Sequence, residues 1–474
     1  MVFSVISGLV AALGTAVVIG LNFGLPRVFG RSGAHYRPRV HLSAGGPEGL
    51  RVQDPDGREK DITMRSLIEE KCPSLFREFR PARWLFSGHL QTAYSVVGDF
   101  SKVDKVEYDR TLLRTLDGGT LGLDFTPPDD VRKLPDDTPI IVVLHGLTGG
   151  SHEAYVRAVL APACMPVEEG GLGYRAIVVN FRGCAGVPIT SPQLYSAGYT
   201  GDLRVAMFYI RHRYPKARLL GLGFSLGANV LTRYIAEEGE YCRFAAACVL
   251  ACPWDLLKNS EALEGNWFRR RIYSKALGSN LQAIVRQHAA ALSTPPSHPV
   301  AQVVAPTLAL LSPTLEAFDN TFNRIAGGSM PPFPFPSARA YYTWASSHEA
   351  VHRVQIPFLA LCAADDPIVR VLPIDTGAAE KGNLVFAVTR KGGHLGWFEE
   401  RADGRIGRWF TRPVLEWMRA VGQDMVVHDR PGRLMKEVDG FLVEVGSESL
   451  GCKVIASGGR VVGTEGEDGL LAGL

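Results

Sequence analysis

From residue 81 onward, short apolar runs alternate with longer segments whose apolar residues recur at helical spacing. Continuous apolar runs that end in turn residues predict buried strands, and the amphipathic segments between them predict helices. Segments 105–113 and 119–126 flank an Asp-Gly-Gly turn signal and predict a hairpin. Buried strands that alternate with helices indicate an α/β fold, with a mostly parallel sheet covered by helices on both faces. The predicted buried strands are 139–146, 175–183, 217–225, 244–254, 357–366 and 384–394, and the predicted helices are 153–163, 201–213, 226–240 and 406–421.

The alternation stops between residues 255 and 354. This interval holds basic helical pieces and a proline-rich run at 330–336. It is too long for a plain loop between two strands, so it predicts a helical lid over the carboxyl edge of the sheet. The core of the fold then consists of 81–254 and 355–420. Residues 421–474 form a tail rich in glycine and charge, and the pattern indicates no role for it.

The amino-terminal segment has a different character. Residues 1–26 contain no Asp, Glu, Lys or Arg and are long enough to span a bilayer as a helix. A cleaved signal peptide is the alternative, but it requires basic residues before the apolar stretch, whereas here Arg27 and Arg31 follow it. The pattern therefore predicts a transmembrane anchor over 1–26 and a linker with little sheet character over 27–80. The positive-inside rule then predicts that the main domain lies in the cytosol. We expect a single-pass membrane protein of the endoplasmic reticulum or lipid droplet.

Composition excludes some classes of function. The chain has 474 residues, with 51 basic and 48 acidic side chains and a net charge of +3, so it lacks the clustered basic excess of nucleic-acid-binding proteins. Its eight cysteines include no CxxC pair, which supports neither a zinc site nor a disulfide framework. We expect no metal and no cofactor.

One serine lies between a predicted strand and a predicted helix. Ser225 is flanked by Gly223 and Gly227, and this spacing allows a sharp turn that presents the hydroxyl while strand and helix approach closely. A bare Gly-x-Ser-x-Gly pattern is weak by itself, and its position between strand and helix is what strengthens it. Ser225 is therefore a candidate nucleophile.

A serine hydroxyl needs a base beside it to act as a nucleophile near neutral pH. His394 follows a predicted strand near the end of the fold, and two glycines precede it in its loop. In this architecture the acid lies between the serine and the histidine in the chain. Asp365 and Asp366 both lie at the end of the predicted strand 357–366. Asp366 is favoured because it precedes Pro367 on the turn that follows the strand, whereas Asp365 could cap that turn.

An oxyanion formed at the serine would need two backbone donors. One is the amide of Leu226, which directly follows Ser225. The other is expected in the loop after strand 139–146, at the amide of Leu147. For His145 in that loop, a structural role is favoured over a catalytic one.

Seven segments of the chain are distinctive: PARWLFSGHLQT, HGLTGGSHEAYVR, NFRGCAGVPITSPQLYSAGYTGDLR, GFSLGANVLTRYIAEEGE, ACPWDLL, AADDPIV and GGHLGWFE. They resemble the AB hydrolase-4 family of α/β-hydrolases, and the resemblance covers residues 80 to 420. It implies an α/β-hydrolase fold with a catalytic triad of Ser225, Asp366 and His394, and membrane attachment through the amino terminus. Related lipid acyltransferases carry His-x4-Asp, but Glu399 stands at that place after His394, so the resemblance does not support that activity.

These observations favour a membrane-anchored serine esterase or lipase that hydrolyses medium-chain fatty acyl esters or monoacylglycerols through an acyl-serine intermediate. One alternative is an alcohol O-acyltransferase that makes medium-chain ethyl esters from the same intermediate. A third hypothesis, a noncatalytic lipid-binding scaffold, would predict the loss of a triad residue, and none is lost. Aromatic residues of the predicted lid either line an acyl pocket or belong to its core: Trp267, Phe268, Phe333, Phe335, Tyr341, Tyr342 and Trp344.

Overall fold

The computed structural model describes residues 36–42, 50–53, 56–376, 382–426 and 430–462. Its strands are β1 (Arg39–His41), β2 (Leu50–Gln53), β3 (Glu59–Ile62), β4 (Glu107–Thr115), β5 (Thr120–Thr126), β6 (Ile140–Leu144), β7 (Arg175–Asn180), β8 (Leu219–Phe224), β9 (Phe244–Leu250), β10 (Phe358–Ala363), β11 (Leu384–Thr389), β12 (Phe398–Glu400), β13 (Ile406–Arg408), β14 (Met425–Val426), β15 (Met435–Val438), β16 (Phe441–Glu444) and β17 (Ser447–Val462). The main sheet has twelve of these strands in the spatial order β1-β11-β10-β9-β8-β6-β7-β5-β4-β17-β16-β15.

Helices cover both faces of this sheet, as the alternating pattern predicted. The helix predicted over 201–213 has those same bounds in the structure. The helices are α1 (Met64–Lys71), α2 (Gly88–Val97), α3 (Ala154–Cys164), α4 (Gly201–Arg213), α5 (Leu226–Glu238), α6 (Leu256–Glu264), α7 (Trp267–Arg269), α8 (Lys275–Gln287), α9 (Ala289–Leu292), α10 (Pro299–Ala309), α11 (Leu315–Phe318), α12 (Arg324–Ala326), α13 (Ala338–Ala345) and α14 (Thr411–Arg419).

The centre of the sheet is parallel. Strands β7, β6, β8, β9, β10 and β11 pair in parallel, and every residue of these strands is buried. Successive side chains of a strand point to opposite faces of the sheet, and each face has its own hydrophobic core. In β6, for example, Val142 packs in one hydrophobic cluster and Val143 in the other. This two-sided burial explains why the strands read as continuous apolar runs.

Parallel pairing also positions the loops. The strands β6, β8, β10 and β11 all end at the same edge of the sheet, with Leu144 of β6 in register with Gly223 of β8. The loops that follow them carry Leu147, Ser225, Asp366 and His394. Ligands of open α/β sheets bind outside this carboxyl edge.

The segment predicted as a linker differs from that expectation. β1 extends the main sheet by pairing antiparallel with β11, and β2 pairs with β3 and β14 in a separate three-stranded sheet. In α1, Leu67 and Ile68 are fully buried against the core. The apolar residues Met64, Leu67 and Ile68 have the spacing of one helical face, and this short signal outweighs the surrounding Arg and Pro content.

The prediction of a single-pass membrane protein of the endoplasmic reticulum or lipid droplet is corrected. No helix in the described part of the chain is both long and apolar enough to cross a bilayer. The transmembrane anchor was predicted over residues 1–26, and that stretch lies outside the described residues.

The carboxyl-terminal tail extends the main sheet on the side opposite β1. β17 pairs antiparallel with β4 from Cys452, opposite Thr115, to Val462, opposite Glu107, and β16 and β15 follow as a meander. Within the described part of the tail only a few side chains are buried, such as Val443 and Cys452. An edge built from so few buried apolar residues gives little signal in the sequence.

Between β9 and β10 the chain is helical and contributes no strand to any sheet over residues 251–357, all of which the structure describes. The aromatic residues of this insertion fall into two groups. Phe333 and Tyr341 are buried in a cluster that Phe335 and Trp344 complete. Trp267 and Phe268 instead stand in solvent, with 75% and 46% of their surface exposed.

Candidate active site

Ser225 is the single residue that connects β8 to α5, and its backbone conformation is strained. Its φ is +49° and its ψ is −117°, a region that costs a non-glycine residue energy and is found where structure serves function. A Cβ on Gly227 would lie 2.5 Å from the carbonyl oxygens of both Leu144 and His145, and one on Gly223 would lie 2.7 Å from a backbone atom of α5. The two glycines are therefore required for α5 to start directly against the ends of β6 and β8.

His394 lies in the loop after β11 and reaches Ser225. Its Nε2 is 2.7 Å from the Ser225 Oγ, and its Nδ1 is 2.8 Å from Oδ2 of Asp366. Gly392 and Gly393 precede it with φ of +148° and +60°, values that a side chain would disfavour. All three functional side chains are buried. The structure thus brings together the serine, histidine and aspartate that the sequence suggested.

The two neighbouring aspartates have different partners. Asp366 Oδ1 accepts the amides of Ile368 and Val369 at 2.8 and 2.9 Å, which aims the other carboxylate oxygen at His394. Asp365 Oδ1 accepts the amide of Gly393 at 3.1 Å, and its Oδ2 lies 3.5 Å from Lys391 Nζ. Asp365 therefore holds the histidine loop, while Asp366 contacts the imidazole.

The loop after β6 lies against the serine. A Cβ on Gly146 would lie 3.5 Å from the Ser225 Cβ. Tyr155 Oη accepts the Gly146 amide at 2.9 Å, and Tyr195 Oη accepts the Thr148 amide at 3.1 Å. The Leu147 amide between them donates to none of the described residues.

Leu226 carries the other backbone amide that the sequence predicted as a donor. It is the first residue of α5, so its amide has no carbonyl one turn earlier to accept it. The start of a helix also presents the positive end of the helix dipole. The amides of Leu147 and Leu226 thus have no hydrogen-bond partner among the described residues, and their role as oxyanion donors stays a prediction.

His145 has a structural role at this loop. Its Nε2 accepts the Phe181 amide at 3.2 Å, so Nδ1 carries the proton and donates to the Gly146 carbonyl at 2.8 Å. Burial lowers the pKa of His145 to about 3, so the ring is neutral near pH 7. It does not contact the serine hydroxyl.

Residues of α2 support the histidine loop, a role that the sequence reading did not assign. The His394 amide donates to Thr92 Oγ1 at 2.8 Å, and the Thr92 hydroxyl donates to the Gly88 carbonyl at 2.7 Å. Gln91 Oε1 accepts the Phe398 amide at 2.6 Å. The only signal was that the segment PARWLFSGHLQT includes the first half of this helix, and the segment carries no chemical motif.

No group of three or more His, Cys, Asp or Glu side chains within the described ranges is arranged to hold a metal ion. At Ser225 the structure places a hydroxyl beside an imidazole and a carboxylate behind that imidazole. This set is what nucleophilic acyl transfer uses.

Comparison with known proteins identifies the family. Residues 139–400 match the family of the alpha/beta hydrolase fold. A monoacylglycerol lipase of Saccharomyces cerevisiae is 32% identical over 410 residues, covering 78% of this chain and 87% of that protein. The medium-chain fatty acid ethyl ester synthase/esterase 2 of the same yeast is 28% identical, over 81% of this chain and 94% of that protein. Human phospholipase ABHD3 is 29% identical, over 70% and 76% respectively.

These relatives are hydrolytic enzymes, and the family match covers more than half of the chain. The resemblance of its motifs to the AB hydrolase-4 family is confirmed. The chain is therefore a hydrolase that belongs to the α/β-hydrolase family.

Proposed function

We propose that this chain is a serine esterase or lipase that hydrolyses acyl esters, medium-chain fatty acyl esters or monoacylglycerols among them, through an acyl-Ser225 intermediate. The observation that carries the proposal is the continuous hydrogen-bond relay from Ser225 Oγ through His394 to Asp366, with steps of 2.7 and 2.8 Å. A noncatalytic scaffold would have no need of this relay.

In the first half of the reaction, His394 Nε2 takes the Ser225 proton as Oγ attacks the ester carbonyl. Asp366 holds the imidazole in the tautomer that leaves Nε2 free and stabilises the imidazolium. The oxyanion accepts the amides of Leu147 and Leu226. As the tetrahedral intermediate collapses, His394 gives its proton to the leaving alcohol oxygen, and the acyl group remains on Ser225.

In the second half, His394 takes a proton from water, and the resulting hydroxide attacks the acyl-Ser225 carbonyl. Collapse releases the carboxylic acid and returns the proton to Oγ. The net reaction is ester plus water to acid plus alcohol. Tyr155 and Tyr195 support both halves because they occupy the two amides that flank Leu147 and so fix the direction of its N–H.

The acyl chain has an apolar neighbourhood beside the serine. Leu226 packs against the aromatic cluster formed by Phe333, Tyr341 and their neighbours in the 255–354 insertion. This contact supports the assignment of that insertion as a lid that covers the acyl chain of the substrate.

Hydrolysis is favoured over acyl transfer to an alcohol. Glu399, at the place where related acyltransferases carry Asp, pairs with Arg412 through both carboxylate oxygens. That pairing occupies both oxygens of the Glu399 carboxylate. A transferase must also hold the alcohol in line and exclude water, which is present at about 55 M.

The proposal is tested by labelling with a fluorophosphonate and by ester hydrolysis. Ser225→Ala should abolish both while the fold is retained, because only the nucleophile is lost. Ser297→Ala, at an exposed position, is the matched control and should behave as the parent protein. Labelling of Ser225→Ala at the parental level would contradict the proposal. Octanoyl thioester with graded ethanol distinguishes the transferase: ester in excess of free acid at millimolar ethanol would reverse the choice between water and alcohol.

A further inference from the structure

A cavity lies beside the turn after β4, the loop after β7 and the start of α4, and the insertion and β17 complete its walls. Its volume is about 310 Å³. Sites for small molecules have volumes of about 300–1,000 Å³. None of Ser225, Asp366 and His394 lines this cavity, so the reaction proposed above makes no use of it.

The walls of the cavity belong to three parts of the chain that touch one another. Trp344 of α13 packs on Gly198, where a Cβ would lie 2.5 Å from the indole ring. Leu116, in the turn after β4, packs on Gly451 of β17, where a Cβ would lie 3.3 Å from Leu116 Cδ1. The insertion, the core and the tail therefore enclose one space together.

Two buried donors of the lining have no hydrogen-bond partner. Gln193 is only 7% exposed, and its Nε2 forms no hydrogen bond with any described residue. Arg204 is ion-paired with Glu238 through Nη2, but its buried Nε likewise lacks an acceptor among the described residues. A buried N–H without a partner is costly and rare in folded proteins, so both groups indicate an acceptor inside the cavity.

The start of α4 adds further donors to the same wall. Thr200, Gly201 and Asp202 line the cavity at the beginning of this 13-residue helix. The Thr200 side chain does not cap the helix, because its hydroxyl donates to Glu237 Oε2 at 2.5 Å. The first amides of a helix have no intrahelical acceptor, so these uncapped N–H groups also suit a ligand oxygen.

The charge of the lining argues against an anionic ligand. Asp117, Asp202 and Glu237 supply three negative charges, and Arg182 and Arg204 supply two positive ones, which leaves a formal charge of −1. Arg182 donates to the two oxygens of Asp202 at 2.6 and 2.8 Å and also contacts both oxygens of Asp117. An anion would add a further negative charge to this lining, so a neutral ligand is favoured.

Glu237 offers the ligand an acceptor as well. A carboxylate has about four acceptor sites. Asp117 already accepts four hydrogen bonds, whereas Glu237 accepts from the Thr200 hydroxyl and, at 2.9 Å, from Arg233. A hydroxyl group both accepts and donates, while a carboxylate can only accept. Hydroxyl groups therefore match both the unpaired donors and the remaining acceptor sites of Glu237.

We propose that this cavity binds a neutral polyol, at a site separate from the acyl-serine chemistry. The polyol oxygens accept from Gln193 Nε2, from Arg204 Nε and from the start of α4, and one hydroxyl donates to Glu237. At about 30 Å³ per water molecule, the cavity has the volume of roughly ten waters, which suits a polyol of about three to six carbons. The ligand is either glycerol, the alcohol that monoacylglycerol hydrolysis would release, or a monosaccharide.

The experiment titrates glycerol, glucose and octanoate separately into the full-length chain and follows binding by calorimetry. Gln193→Leu removes the buried donor and should weaken polyol binding about fivefold, the effect of one neutral hydrogen bond. Ser449→Trp introduces a large ring into the cavity wall from an exposed position of β17 and should abolish binding. Gln355→Leu removes an exposed glutamine outside the lining and should bind as the parent does.

Saturable binding of glycerol that both cavity variants weaken supports the site with the product alcohol as its ligand, and the same result for glucose supports it with a monosaccharide. The proposal is overturned if neither polyol binds saturably, if Ser449→Trp binds as tightly as the parent, or if Gln355→Leu loses as much affinity as Gln193→Leu. Octanoate binding that Ser449→Trp abolishes, without binding of either polyol, also overturns it. Melting curves establish that each variant is folded, and Ser449→Trp carries the test if Gln193→Leu does not fold. The titration does not depend on ester hydrolysis, so this proposal and the proposed function can fail separately.

Discussion

Replacement of Asp366 by Asn removes one negative charge while keeping the shape of the site. The Asn oxygen should stay where Asp366 Oδ1 accepts the amides of Ile368 and Val369, because those two bonds of 2.8 and 2.9 Å require an acceptor. The amide NH₂ group must then face His394 Nδ1, where the carboxylate oxygen stands now. Two donors cannot share a hydrogen bond, so the imidazole would adopt the tautomer that carries its proton on Nε2.

That tautomer cannot accept the Ser225 proton. In a comparable triad the same change lowers kcat by about 10⁴, which corresponds to about 5 kcal/mol of transition-state stabilisation. We expect a loss of that size for Asp366→Asn, with KM little changed. The loop bonds are retained, so the melting temperature should stay near that of the parent.

Asp365→Asn is the matched control. Its oxygen would still accept the Gly393 amide, and only the partly exposed ion pair with Lys391 at 3.5 Å would be lost, which is worth about 0–1 kcal/mol. The assay is the hydrolysis of 4-nitrophenyl octanoate, with active sites counted by fluorophosphonate. A larger loss of kcat in Asp365→Asn, or a loss below tenfold in Asp366→Asn, would refute this reasoning.

Three further changes probe the surroundings of the site. Tyr155→Phe or Tyr195→Phe frees an amide beside Leu147, so kcat for the ester should fall about tenfold with KM unchanged; a loss of melting temperature without loss of kcat would contradict the positioning role. Gly227→Ala should yield insoluble or inactive protein by fractionation and fluorophosphonate labelling, because its Cβ would lie 2.5 Å from two carbonyl oxygens; a soluble, fully labelled variant would disprove the clash. Burial raises the pKa of Asp319 to about 7, above its unfolded value, so its contribution to stability is present in acid and falls as pH rises from about 4 to 7. Asp319→Asn should therefore raise the melting temperature at pH 8 and change it little at pH 4, and the reverse order would contradict the buried-carboxyl account.

The parallel centre of the fold was predictable because its strands are buried on both faces. Residues 219–224 and 358–363 are apolar throughout, and such runs read as strands without knowledge of their neighbours. The grouping of Ser225, Asp366 and His394 followed from the same pattern, since loops after parallel strands meet at one edge. The sequence favoured Asp366 over Asp365, but the reason for their different roles is visible only in the structure, where Asp366 contacts His394 and Asp365 accepts the Gly393 amide.

Contacts between segments that are distant in the chain could not be predicted from the sequence. The hydrogen bond between the His394 amide and Thr92 joins residues 302 positions apart, and no local sequence pattern around Thr92 predicts it. The strands of the tail depend on an available partner, because β17 contains adjacent glycines and few buried side chains. The aromatic content of the insertion likewise did not distinguish Trp267, which is exposed, from Tyr341, which is buried.

Two strand pairings of the main sheet, β1 with β11 and β17 with β4, join segments that are far apart in the chain. β1, at residues 39–41, pairs with β11, and β17, at residues 447–462, pairs with β4. Closing such long loops costs chain entropy before any contact is gained, so we expect these two strand pairings to form late in folding. During synthesis, β4 leaves the ribosome long before its partner exists, and its unpaired edge is a template for association with other nascent chains. A nascent chain would therefore depend on chaperones until residues 447–462 emerge, and the tail governs the yield of folded enzyme without touching its chemistry.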